Sequence, residues 1–501
     1  MDALLSRVHE HAISQPNKIA IRSEQIQLSY SSLQTKASSL AALFKANDCQ
    51  SIGIWAKNSP DWVVIQLAAM LAKVTVIPIP TFFSPAQIEH IITSVPVDLV
   101  ISECHYAECD AAFTPIELNS KKGSILSTPL YCCLRSDATD KTPHSSRGAA
   151  LITFTSGTTG NPKGVRISYS LIDQMCASLA SVTDQLGIQQ HLCLLPLAVM
   201  LENIAGVFLP LYAGQEVILD NDSITGLSGS SNPDLSCLSK YLASHPSDSL
   251  ILTPELLKLL ILLKQQGLSL QQLKFVAVGG GKVSPSLLKH AHSIGIPVYE
   301  GYGLSECGSV VALNTPGASK AGSVGKPLSH CRVQISDGGE ICVYGPKMLG
   351  YLDTADMDAD YVATGDLGYI DDDGFLFITG RRKNVQINSF GRNFNPEWIE
   401  SELNSLPGVI RSAVYGDAKP FITAVIQMLP TLSRNQLNQS LNQLNQQLPD
   451  YAQIKQVVQM HDVDISNACL LTPNGRIKRD RIQSFYAEKI EANYNAEECN
   501  A

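Results

Sequence analysis

Thr155-Ser156-Gly157-Thr158-Thr159-Gly160-Asn161-Pro162-Lys163-Gly164 gathers hydroxyls, glycines and one lysine into ten residues. Such a stretch can hold a polyphosphate. Glycines let backbone N–H groups turn toward an anion, hydroxyls add donors, and the lysine adds a formal charge. The spacing is not that of a P-loop, which needs Gly-Lys-Ser/Thr after four intervening residues. Taken alone, the stretch also reads as an ordinary Ser/Thr/Gly hairpin loop. Ahead of it, Ala149-Ala150-Leu151-Ile152-Thr153-Phe154 is apolar and β-branched and predicts a buried strand.

Five more stretches follow in order. Leu273-Lys274-Phe275-Val276-Ala277-Val278 predicts a strand running into Gly279, Gly280 and Gly281, where a flat ligand could lie against the backbone. Gly301-Tyr302-Gly303-Leu304-Ser305-Glu306 comes next, then Tyr361-Val362-Ala363-Thr364-Gly365-Asp366 and Phe375-Leu376-Phe377-Ile378-Thr379-Gly380-Arg381-Arg382-Lys383-Asn384. Leu471-Thr472-Pro473-Asn474-Gly475-Arg476-Ile477-Lys478-Arg479 ends the series. In this order they resemble the signatures of the adenylate-forming superfamily: acyl-CoA synthetases, adenylation domains of peptide synthetases, and luciferases. The resemblance covers nearly the whole chain. Its look is closest to medium- and long-chain acyl-CoA synthetases.

The resemblance implies an α/β protein with a large N-terminal domain of mostly parallel sheets, residues 1–381. A small mobile α+β domain, residues 382–501, would follow a hinge near Lys383. It implies ATP as a substrate, with Lys163 and the hydroxyls from Thr155 to Thr159 on the phosphates. Gly279, Gly280 and Gly281 would face adenine and the acyl chain. Tyr302 would offer an aromatic face to adenine beside Gly303, Ser305 a hydroxyl, and Glu306 a hard oxygen ligand for Mg²⁺. Asp366 would accept from both ribose hydroxyls, with Arg381 as a second contact. Gly391, in Asn388-Ser389-Phe390-Gly391-Arg392-Asn393, would let pantetheine pass.

Two positions depart from the pattern. Val199, in Leu195-Pro196-Leu197-Ala198-Val199, stands where relatives carry a pocket histidine. Arg476 stands where they carry a lysine that bridges the carboxylate and the α-phosphate, the nearest lysine being Lys478. In an extended segment these two side chains would share one face.

The implied reaction is ATP-dependent activation of a carboxylic acid to acyl-AMP, with pyrophosphate released and the acyl group then passed to a thiol. CoA is the expected acceptor, with the phosphopantetheine of an acyl carrier protein as the alternative. An amino-acid activator would keep an aspartate near the pocket, and Pro196–Asn203 has none. From a different class comes a nucleotide-binding pseudoenzyme. Val199 and Arg476 favour it; Lys163, Glu306 and Asp366 oppose it.

The elements that must position these residues read as strands alternating with helices, the pattern of parallel sheet and crossover units. Ile19-Ala20-Ile21 and Ile26-Gln27-Leu28 form a short strand pair between two helices. Strands follow at Ser51–Trp55, Val74–Ile79 and Asp98–Ile101, with helices from Ser59-Pro60-Asp61 and Ser84-Pro85. Residues 133–147 read as an exposed connection, Ser170–Leu186 as a helix, and Asn221–Asp234 as a surface loop. Past Lys383, helices are expected from Pro396 and over Leu437, Leu441, Leu444 and Leu448, the second stopped by Pro449. Strands are expected at Val414-Tyr415 and Ile422–Ile426.

With 501 residues, the chain is too long for one core. A hydrophobic content of 45% and a charged content of 17% fit a globular enzyme. A net charge of −9 argues against a general nucleic-acid binder. No run approaches the roughly 18–20 apolar residues of a membrane span. The N-terminus has no signal-peptide layout. The 13 cysteines are scattered without a C-x-x-C pair, which suggests reduced thiols and a cytoplasmic location.

Overall fold

A computed structural model describes residues 2–95, 97–103, 113–116, 126, 131–135, 148–155, 162–227, 233–352, 354–472 and 475–498. Two large mixed sheets come first. In the nine-stranded sheet, Ile19–Arg22, Glu216–Leu219, Gln190–Cys193, Ser249–Leu252, Phe275–Val278 and Val298–Tyr302 run parallel. Antiparallel strands, including Gln27–Ser29 and Ala312–Leu313, lie at its edges. In the eight-stranded sheet, Ser51–Trp55, Thr75–Pro78, Leu99–Ser102 and Ala149–Thr155 are parallel. Lys163–Ser168 then returns antiparallel to Ala149–Thr155.

Helix Pro60–Ala72 is buried on nearly every side within the largest apolar cluster, as expected of a helix apolar all round. Its start follows the chemistry of its cap: the Ser59 side chain accepts from the Trp62 N–H, and Pro60 occupies the first turn.

A third, smaller sheet completes this part of the chain. Arg332–Ile335, Glu340–Tyr344, Tyr361–Ile370 and Leu376–Arg381 are antiparallel throughout. Two of the three pairings are closed by short turns, such as Asp371–Gly374, which allow only the antiparallel arrangement. Two local expectations change. Residues 131–135 form a strand paired on both sides, with Leu99–Ser102 and Phe113–Ile116, so only 136–147 of the expected connection remain, outside the described residues. Asn221–Asp234 contains a helical turn, Asp222–Thr225, capped by Asn221.

After residue 393, Val409–Tyr415, Ile422–Met428 and Ile454–Met460 form a three-stranded sheet. Helices Pro396–Ser405, Arg434–Asn445, Arg479–Phe485 and Ala487–Glu498 accompany it. Leu437, Leu441, Leu444 and Leu448 are buried. Two apolar clusters here draw only on residues from Phe394 onward, and the remaining clusters only on residues before 379.

Candidate active site

Strands of the third sheet bring Asp366 opposite Arg381, and the two pair across the ladder. Arg381 Nε lies 2.8 Å from Asp366 Oδ1, while the Tyr302 hydroxyl donates to Oδ2 at 2.6 Å. Asp366 is 4% exposed. Burial raises its carboxyl above the ordinary range, and Arg381 and Tyr302 oppose that rise. Burial and the Asp366 charge push the Tyr302 phenol up in turn.

Glycine is obligatory beside Tyr302. A Cβ on Gly303 would stand 1.6 Å from the Ser309 carbonyl oxygen. Ser305 opens a 3-10 turn, Ser305–Cys307, that carries Glu306. Tyr351 donates its hydroxyl to Glu306 Oε1 at 2.8 Å, and the exposed Lys163 ammonium lies 5.6 Å from the Tyr351 ring centre. Glu306 also lines a cavity of about 380 Å³ with Leu304, Met348, Tyr351, Met357 and Thr364. Thr155 pairs with Lys163 at the mouth of the hairpin. Ser156, Gly157, Thr158, Thr159 and Gly160 lie outside the described residues.

Across from this group, Gly279, Gly280 and Gly281 follow strand Phe275–Val278. The Gly280 carbonyl accepts a hydrogen bond from the Arg476 guanidinium, although the residues are 196 positions apart. Glu255 attracts the Arg476 charge and Arg381 repels it. Arg476 leaves a tight hairpin closed by an antiparallel bridge between Leu471 and Ile477. The Thr472 N–H donates to the Arg476 carbonyl at 2.7 Å, and Gly475 turns at φ +78°. Lys478 stands at the N-terminus of helix Arg479–Phe485, near Arg481 and Cys469. Gly391 is not gathered into the site. It turns at φ +71° with nothing within 4 Å of an added Cβ, next to Phe390, which is 73% exposed.

The AMP-binding enzyme family matches residues 8–352, and its C-terminal domain matches residues 384–498. The chain belongs to the AMP-binding enzyme family. A long-chain-fatty-acid–CoA ligase, FadD15, of Mycobacterium bovis is 32% identical over 252 residues, 44% of this chain and 42% of that protein. The match thus spans less than half of that relative. A 2-succinylbenzoate–CoA ligase of Staphylococcus epidermidis is 26% identical over 95% of this chain and 97% of its own. The solved O-succinylbenzoate CoA synthetase of Bacillus subtilis, in complex with ATP and magnesium ion, superposes with a TM-score of 0.74 at 23% identity. That comparison covers 95% of this chain and 98% of the other, and the likeness is one of fold.

In this AMP-binding enzyme the sequence motifs do not reveal three of the site's neighbours. Tyr351 reaches Glu306 because strand Gly350–Tyr351 pairs with the strand that starts at Lys163. Lys282 donates to the Ile378 carbonyl at 2.6 Å and attracts buried Glu300, whose carboxyl burial pushes up to about 7. Arg479 grips Glu400 with two hydrogen bonds of 2.5 and 2.8 Å, so the end of the Arg476 hairpin is fastened to helix Pro396–Ser405. A lysine directly after Gly281 was the one available signal, for Lys282. Pro196–Asn203 holds no aspartate, and its one acid is Glu202. Among the described residues no helix is long and apolar enough to cross a membrane.

Proposed function

We propose that this family member activates a carboxylic acid with ATP, forming acyl-AMP and pyrophosphate, and then transfers the acyl group to the thiol of CoA. The observation that carries the reading is the convergence of Arg476, Gly280, Asp366 and Arg381 from segments far apart in the chain. It sets the Arg381 guanidinium on a buried carboxylate and the Arg476 guanidinium on a glycine floor. Asp366 would take the ribose hydroxyls, exchanging the Tyr302 and Arg381 bonds it now accepts for bonds to the sugar. Lys163 and the loop before it would hold the phosphates, and Arg476 would meet the charge that develops between the acid and the α-phosphorus.

Neither half-reaction requires a protein nucleophile, so positioning and charge neutralisation carry the catalysis. The residues fit Mg²⁺: Glu306 is a half-buried hard oxygen donor at a cavity wall. Bound there, the ion would neutralise phosphate charge. Tyr351, by holding Oε1, orients the carboxylate for that use.

The acid is aliphatic or aryl rather than an amino acid, and CoA is the acceptor ahead of a carrier protein. Residues 1–381 form the acid- and nucleotide-binding domain, and residues 382–501 move about a hinge near Lys383 in the cytoplasm. Pyrophosphate release across a panel of fatty, short aliphatic and aromatic acids, with and without CoA, tests this reading. Acid-dependent release with CoA-dependent thioester formation is expected. Nucleotide binding without release for any acid would leave a pseudoenzyme.

A further inference from the structure

Strand Gln190–Cys193 carries His191 and Cys193 into the interior, where they meet Glu202 at the start of a π-helical turn, Glu202–Phe208. All three are buried, Glu202 completely. One ligand atom from each lies within 4.8 Å of the others. His191 Nε2 is 3.3 Å from Glu202 Oε1, and its Nδ1 is 2.8 Å from the Ser249 hydroxyl. The Cys193 thiol faces the Gly206 carbonyl at 3.5 Å. None of these groups has a part in the proposed acid activation.

Two independent observations say that something fits among them. Glu202 Oε2 is buried without a hydrogen-bond partner. Leaving a carboxylate oxygen in that state is costly, and a native chain does so rarely. Secondly, Gly206 holds open the space into which the donors point. A Cβ there would stand 2.6 Å from Glu202 Oε1 and 2.9 Å from His191 Nε2. Gly206 is not needed for backbone conformation, because it lies inside a helical turn and its φ is not positive. The π-helical turn, one residue wider than an α-turn, sets Glu202 and Gly206 facing the strand together.

We infer that His191, Cys193 and Glu202 form a buried site for a single Zn²⁺ ion. Thiolate, imidazole and carboxylate are the donors zinc takes, and two such atoms on one tetrahedral zinc stand roughly 3.3–3.8 Å apart. The His191–Glu202 separation already has that value, and the Cys193 sulfur lies within 4.8 Å of a ligand atom of each. Charge closes the argument. A thiolate, a carboxylate and a neutral imidazole around a divalent cation sum to zero, which suits a site sealed from water. Without the ion, His191 is the only ion-pair partner of Glu202 among the described residues. Ser249 supplies the outer contact that fixes the imidazole so that Nε2 faces inward. A fourth position remains for the Gly206 carbonyl or a water. The ion would pin the strand to the turn and so fix the segment between them, Leu194–Leu201, which resembles the acyl-pocket wall of relatives. Since the site is closed, the ion would enter as the chain folds.

The test is independent of the acid-activation reading. The full chain is expressed with zinc, dialysed against a weak chelator, and its metal measured. About one zinc per chain is expected, retained in Cys469→Ser and reduced to about a tenth or less in Cys193→Ser. Wild-type protein refolded with Co²⁺ should show a thiolate-to-cobalt absorption band that Cys193→Ser lacks. That spectrum decides the matter even if the variant folds poorly. Substoichiometric zinc with no cobalt–thiolate band in the wild type would overturn the site. So would zinc that persists undiminished in folded Cys193→Ser.

Discussion

The Tyr302 hydroxyl donates to Asp366 across 2.6 Å, joining two motifs that lie 64 residues apart in the chain. Arg381 completes the bracket from the other oxygen. The carboxylate is therefore held in one orientation before any nucleotide arrives, and two donors oppose the rise that burial imposes on it.

Asp366→Asn should weaken ATP binding tenfold or more, since hydrogen bonds to charged groups are worth about 1.5–3 kcal/mol. Tyr302→Phe should keep the ring but free the carboxylate to turn, raising KM for ATP more than it lowers kcat. Isothermal titration with ATP and steady-state kinetics check both. Wild-type affinity in Asp366→Asn would remove this residue from the nucleotide site.

Arg476→Ala should reduce acyl-AMP formation by about 10²–10³, the loss expected for one preorganised donor to a developing charge. Thioester formation from supplied acyl-AMP should stay near normal. Lys478→Ala should do little, because its side chain lies at a helix start away from Gly280. Single-turnover assays of each half-reaction give the ranking, and the reverse order would sink the role of Arg476.

Glu300 links stability to pH. Its carboxyl is raised from 4.5 to about 7 by burial, Lys282 offsetting part of the rise. Between those values the folded chain keeps a proton that the unfolded chain has released. Stability from this group is thus greatest below about pH 4.5 and falls as pH rises through 7, by up to about 1.4 kcal/mol per unit. Glu300→Gln should flatten that fall. Thermal midpoints from pH 5 to 8 for both proteins measure it, and parallel curves would refute the assignment.

Gly391→Leu should spare acyl-AMP formation and suppress thioester formation. A Cβ there meets no atom within 4 Å, and the left-handed backbone costs a side-chain-bearing residue about 1–2 kcal/mol. Equal loss of both half-reactions would point to misfolding and withdraw the thiol channel from this loop.

The motif residues were legible because each carries its chemistry in its own type: a carboxylate after Thr-Gly, an acid after Gly-Tyr-Gly-Leu-Ser, a cation after Asn-Gly. Helix starts at Ser59-Pro60, Ser84-Pro85 and Pro396 were legible for the same local reason. What stayed hidden depends on strand pairing. Tyr351 meets Glu306 only through the register of a two-residue strand, and no periodicity marks so short an element. The third sheet was missed because its strands are separated by turns that resemble ordinary loops.

The seam between the two parts of the molecule has a mechanical consequence. Where helix Pro285–Ser293 meets helix Pro396–Ser405, the Ser286 hydroxyl donates to Glu402 at 3.3 Å and to Ser405 at 3.2 Å. No apolar cluster of the described residues crosses that line. Each hydrogen bond across it can be replaced by one to water at a net loss of only about 1 kcal/mol. The joint is built like a wet bearing: parting its faces would wet polar groups and bare no oil.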